Sequence, residues 1–225
     1  MNKDIKVIGF DDVPQGGFAG IVEKQMLLSS KVWPQTSHRN DISHGFKDFI
    51  YVAMGYFKPN NGAPIHPHKD VDIVTFIKSG KVGHEGTLGH GSIIESPGVQ
   101  TQRAGTGMRH SEFGVVDQES HFIQMWFVPP SNGLTPAYKN FKIEGNQLTT
   151  VLGGENETLK NNMTCKIGFL EKGSELNLKG KAIVILFNGT AQLEELEIKE
   201  GDLVEVTDLY LVSTSEIGVV VIQET

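Results

Sequence analysis

The chain has a single cysteine, Cys165, among 225 residues. An intrachain disulfide is therefore excluded, and a reducing compartment fits best. No His or Arg sits beside Cys165 in its alternating stretch, residues 163–169, to stabilise a thiolate. It reads as a buried structural thiol. Long apolar runs are also missing: none approaches about 18 residues, so no transmembrane helix and no membrane partner are expected. The first residues, MNKDIKVIGFDD, lack the apolar segment of a signal peptide, and a cytoplasmic location is expected. Basic residues are outnumbered, 20 Lys and Arg against 27 Asp and Glu, for a net charge of -7. That balance argues against a direct nucleic-acid partner, whose phosphates would need neutralising cations. No GxGxxG follows a strand and opens a helix, and neither a P-loop nor a GxSxG elbow is present. Ser111 follows a histidine but has no such elbow around it.

Helix-length apolar periodicity is absent too. What is present is glycine, 26 residues of it, and short β-branched or aromatic runs between turn signals. The pattern predicts strands over 5–10, 20–28, 49–57, 66–77, 92–95, 99–103 and 119–128, with a long polar loop over 29–48. The Pro- and Gly-containing stretch 131–148 reads as a connector. Strands resume over 163–170, 175–178, 181–188, 191–198, 202–206 and 217–223, and 153–162 reads as an exposed loop. The expected fold is all-β, with two halves alike in rhythm: an N-terminal metal-binding domain, 1–135, and a C-terminal domain without a metal site, 136–225.

All eight histidines fall in the first 121 residues, so any imidazole site belongs to the N-terminal half. His66-Pro67-His68 is an i, i+2 pair, and on an extended strand both rings point to one side. The intervening proline has no N–H to donate, which suits a strand start or a sheet edge. His110-Ser111-Glu112 repeats the spacing with an imidazole and a carboxylate. Two such strands side by side would bring three nitrogens and one oxygen to one point, a set suited to Fe(II), Mn, Ni, Co, Cu or Zn with coordination positions left open. The other histidines are assigned blander roles. His84 and His90 are expected at an exposed hairpin tip, His121 as a packed or hydrogen-bonded residue, and His38 and His44 as exposed residues of the polar loop. Met125, Trp126 and Phe127 are expected in the core.

The stretches HPHKDVDIVTFIKSGKVGHEGTLGH (66–90), QTQRAGTGMRHSEF (100–113) and QMWFVPPSNGLTPAY (124–138) resemble the pirin family of bicupins, most of all its shorter bacterial members. The resemblance is strong over residues 60–140. It implies two stacked cupin barrels, each a double-stranded β-helix. It also implies one divalent metal, Fe2+ favoured, held by the residues matching His66, His68, His110 and Glu112. Some members are similar to quercetin 2,3-dioxygenases, which implies a small aromatic substrate and Glu112 as catalytic base for a flavonol hydroxyl. Others bind iron without catalysis and act on a protein partner, a transcription factor or a metabolic enzyme, and this is the alternative function. A monomer is expected. Two departures stand out. Residues 15–36 lack the family's aromatic and His-containing stretch, and Asp72 stands where the cupin pattern has Glu. Asp72 is expected near the site's periphery or on the surface rather than on the metal.

Overall fold

The computed structural model describes residues 5–154 and 158–225. Residues 155–157 of the loop expected at 153–162, and residues 1–4 of the segment read for a leader, lie outside that range. Among the described residues strands dominate, joined by turns and two short 3-10 segments, Phe10–Asp12 and Pro34–Thr36. No helix among the described residues is long and apolar enough to cross a membrane.

The chain forms two compact units. One is Pro14–Lys142; the other joins the residues up to Val13 to Ile143–Thr225. The strand Lys6–Ile8 pairs antiparallel with Leu203–Ser213, far along the chain. Such long-range pairing leaves no mark on local sequence pattern. Ala137–Lys142, inside the stretch read as connector, is a half-buried edge strand paired with Gly98–Arg103.

Two sheets build the Pro14–Lys142 unit. The seven-stranded sheet runs in the order Ala137–Lys142, Gly98–Arg103, Asp72–Ile77, Ser120–Phe127, Phe49–Phe57, Ile21–Leu28, Gln15–Phe18. The four-stranded sheet runs Gly62–His68, Met108–Gly114, Lys81–Gly86, Ser92–Glu95. Strand parity decides which side chains form the core. In Ser120–Phe127, the side chains of Ile123, Met125 and Phe127 are buried, and each large apolar residue so placed contributes about 1.5–3 kcal/mol. Phe122, Gln124 and Trp126 have the opposite parity and face a cavity. The single strand expected over 66–77 is two strands, broken after His68, with Asp70 at a φ of 51°.

In the second unit an eight-stranded antiparallel sheet closes over a core of Val184, Leu186, Leu193, Val204, Leu211 and Val219. The segments expected at 175–178 and 181–188 are one strand, Glu175–Asn188. A register shift between Leu178 and Lys181 absorbs Gly180, whose φ of 79° is ordinary for glycine. Cys165 is fully buried on the strand Met163–Leu170, and burial raises its thiol pKa well above the usual value.

Candidate metal centre

The central strand of the site is Met108–Gly114, whose burial alternates strictly and turns Met108, His110 and Glu112 inward. On one side it pairs with Gly62–His68, where His66 stands directly opposite His110 and His68 opposite Met108. A bulge between these strands then sets Glu112 opposite Ala63. On the other side it pairs with Lys81–Gly86, where Gly86 stands opposite His110 and His84 opposite Glu112. Residues directly opposite on paired strands share a face. Five polar side chains therefore converge: His66, His68, His84, His110 and Glu112.

The rings of His66 and His110 are 4.6 Å apart between centroids, those of His68 and His110 4.9 Å, and those of His66 and His68 4.8 Å. One ligand-capable atom from each of His66, His68 and His110 lies within 4.8 Å of the others. A second group with the same closeness is His84, His110 and Glu112, all three buried. His110 belongs to both groups. Glu112 is thus placed beside His110 and His84, while His66 and His68 close on His110 from the neighbouring strand.

Burial sets the charge state of this cluster. It lowers the His110 pKa to about 2, with the neighbouring His68, His66 and His84 adding to the effect. It lowers His68 to about 4, with help from His66. Both rings are therefore neutral at physiological pH and offer lone pairs. Burial pushes Glu112 up to about 7, against hydrogen bonds from Gln124 and Gln100 that favour the carboxylate. Gln100 donates its amide N–H to Glu112 Oε1, and Gln124 Nε2 donates to Oε2 at 3.1 Å. Tyr138 in turn donates its hydroxyl to Gln100 at 3.2 Å, and Trp126 Nε1 donates to Gln124 at 3.0 Å. Gln100 and Gln124 lie on the seven-stranded sheet, so Glu112 is clamped between the two sheets.

A donor set of this kind fits a metal cation. Both ring nitrogens of His110 are buried without a hydrogen-bond partner, as is His84 Nδ1. An orphaned buried polar atom is costly, and a cation that accepts its lone pair removes the cost. His66 Nδ1 is 2.8 Å from the carbonyl oxygen of Pro64, which directs its Nε2 lone pair elsewhere.

Three expectations about the site are corrected. His84 is not at an exposed hairpin tip: it is 1 % exposed, because its strand continues to Gly86 and the turn lies beyond. Its shared parity with buried Val82 was the available signal. His44 is half-buried, its Nε2 2.9 Å from the Arg39 carbonyl oxygen and its Nδ1 3.2 Å from that of Leu28. Trp126 is only partly core: it packs on Val71, Ile73, Ala104 and Met108, while its ring also meets that of His68 at 5.3 Å and borders the cavity. His38 and His90 are exposed as expected. His121 packs against Tyr56 with ring centroids 5.5 Å apart.

The cavity has a volume of about 510 Å³. Trp33, Tyr51 and Trp126 form an aromatic wall, and His66, His68 and Glu112 line the same space. Tyr51 and Trp126 are stacked at 4.6 Å. Residues 18–36, within the stretch that departs from the pirin pattern, supply much of the remaining lining, including Glu23.

Residues 29–127 match the family model described as Pirin. The chain carries a pirin domain. That domain includes the five converging residues and most of the cavity wall. Among curated relatives, the quercetin 2,3-dioxygenase of Escherichia coli strain K12 is 32% identical over 120 residues, 52% of each chain. A pirin-like protein of Caulobacter vibrioides is 35% identical over 80 residues, covering 36% of this chain and 34% of the relative. The chain thus matches about half the length of the first of these relatives, or less. The pirin domain and the unit beyond it are also similar in fold to solved structures. YhhW from Escherichia coli superposes with a TM-score of 0.84 at 19% identity, covering 98% of this chain and 97% of that one. The bacterial pirin YhhW in complex with nickel(II) gives 0.83 at 20% identity, covering 97% of both. The all-β bicupin fold expected from the sequence is the fold found.

Proposed function

We propose that the pirin domain holds one divalent transition-metal ion through His66, His68, His110 and Glu112, and that the loaded site oxidatively opens a flavonol such as quercetin. The observation that carries the metal assignment is His110, a buried neutral imidazole with no partner for either nitrogen, ringed by His66 and His68. Three imidazole nitrogens and a carboxylate oxygen suit several first-row ions, with Fe2+ our first choice. The flavonol assignment is supported by the quercetin 2,3-dioxygenase relative and by an aromatic-walled cavity beside the histidines.

A divalent metal held by His66, His68, His110 and Glu112 would supply Lewis acidity that lowers the pKa of a substrate hydroxyl. The residues do the rest. Trp33, Tyr51 and Trp126 hold the flat rings by their faces. Glu112, which lines the cavity and has a pKa near neutrality, takes the 3-hydroxyl proton onto a carboxylate oxygen. The Gln100 and Gln124 amides keep that carboxyl fixed as it gains the proton. The activated flavonol then consumes one dioxygen and releases one carbon monoxide on ring opening.

Two measurements test this reading. Elemental analysis of anaerobically purified protein should find one divalent transition metal per chain, and His110→Ala should lose it. Protein loaded with Fe, Mn, Ni, Co or Cu should bleach the quercetin absorbance band in oxygen. Failure with every metal sinks the dioxygenase assignment; absence of metal sinks the site.

A further inference from the structure

We infer that His84 is a positioning residue for His110, its Nδ1 lone pair taking the hydrogen of the His110 ring nitrogen turned away from the ion. The inference rests on the metal site proposed above and adds a fifth residue to it.

A neutral imidazole has one N–H and one lone pair. His84 Nε2 lies 2.8 Å from the Leu88 carbonyl oxygen, an acceptor only, so Nε2 carries the hydrogen. Nδ1 of His84 is therefore a lone-pair acceptor, and it is buried with no donor facing it. His110 has the complementary deficit. Its lone pair goes to the ion, and its N–H then needs a buried acceptor.

Glu112 is the rival acceptor, but Oε1 already takes a hydrogen bond from Gln100 and Oε2 one from Gln124, and its remaining lone pairs are those the proposed site gives to the ion and the substrate proton. His84 Nδ1 is left. Ligand-capable atoms of His84, His110 and Glu112 lie within 4.8 Å of one another, and the His84 and His110 rings are 5.1 Å apart between centroids. An N–H···N bond between two imidazoles separates centroids by about 5 Å, from the usual heavy-atom distance plus two ring radii. Neither nitrogen has another hydrogen-bond partner, so each is available to the other. The His84 ring is held ready for this bond, tied at Leu88 and packed against Tyr138 at 5.1 Å. A histidine ligand whose second nitrogen is satisfied in this way has a defined tautomer and a more basic donor atom.

The test compares His84→Leu, which removes the acceptor, with His84→Asn, whose Oδ1 stands where Nδ1 stood. Ni(II) affinity is measured by competition with a chelator, and Cu(II)-loaded samples are compared by EPR. H84L should weaken Ni(II) binding about 10- to 100-fold and shift the Cu(II) hyperfine splitting. H84N should stay close to wild type in both. Wild-type affinity and spectrum in H84L would overturn the inference, as would equal loss in H84L and H84N at unchanged melting temperature. If H84L does not fold, ¹⁵N imidazole spectra of Zn(II)-loaded wild-type protein decide: hydrogen on His84 Nδ1 refutes the proposal, and a coupling across His110 N–H···Nδ1 supports it. A wild-type protein that binds no ion removes both readings, whereas normal wild-type binding with an unaffected H84L removes this one alone.

Discussion

Arg103 and Asp72 stand directly opposite each other on neighbouring strands and share two hydrogen bonds, Nε to Oδ1 at 2.8 Å and an NH2 nitrogen to Oδ2 at 2.6 Å. Asp72 is fully buried, and the Arg103 side chain is 10 % exposed. Asp72 therefore holds the sheet behind the site rather than contacting the histidines. Breaking a buried pair from one side leaves an uncompensated charge. Asp72→Ala should lose about 3–5 kcal/mol of stability in urea titrations. Metal content per folded molecule should stay at the wild-type level; loss of metal at retained fold would contradict this separation of roles.

Gly86 lies opposite His110 with a φ of 156°, and a Cβ there would come within 2.2 Å of the Arg109 carbonyl oxygen. Gly86→Ala must push the His110 strand away or strain the backbone. We expect destabilisation of more than about 1 kcal/mol and weaker Ni(II) binding, read by thermal melting and metal titration. Unchanged melting would show that the strands yield freely.

Glu23 is 7 % exposed beside the cavity and accepts hydrogen bonds from Tyr51 at 3.2 Å and Gln25 at 3.1 Å. Burial raises its pKa above the ordinary 4.5, the two hydrogen bonds partly opposing. A raised carboxyl binds its proton more tightly folded than unfolded. Its stabilising contribution is present below the ordinary pKa and is lost as pH rises through the folded value. Glu23→Gln should therefore be the more stable protein at pH 8 relative to wild type than at pH 4, judged by urea midpoints. A pH-independent difference would show that Glu23 titrates normally.

Trp126 meets the His68 ring, and the only other tryptophan, Trp33, lies 6.3 Å from Trp126. Cu(II) at the histidines should quench tryptophan emission stoichiometrically. Trp126→Phe should remove most of the quenched signal without lowering copper affinity more than slightly. Emission that ignores copper in wild-type protein, with binding confirmed by EPR, would place the ion elsewhere.

Much of the site was readable because strand parity is local. The spacing of His66 with His68, and of His110 with Glu112, puts each pair on one side of its strand whatever lies around it. The strands Phe49–Phe57 and Met163–Leu170 have the limits expected from their apolar runs. Local pattern failed where a partner strand decided the outcome. His84 looked like a turn residue, yet pairing opposite Glu112 carried it into the interior. Trp126 looked like core and does pack on Ile73 and Met108, yet parity with Gln124 also sets its ring on the cavity. Ala137–Lys142 looked like a linker because an edge strand needs no apolar alternation.

The sequence alone determined an all-β chain, a histidine-bearing half and two ligand pairs, since turn chemistry and side-chain alternation act over a few residues. Register between distant strands decided which pairs meet, that a fifth polar residue joins them, and which aromatic rings line the cavity. Those outcomes depend on backbone hydrogen bonds between segments tens of residues apart, and no short stretch of chain encodes its partner.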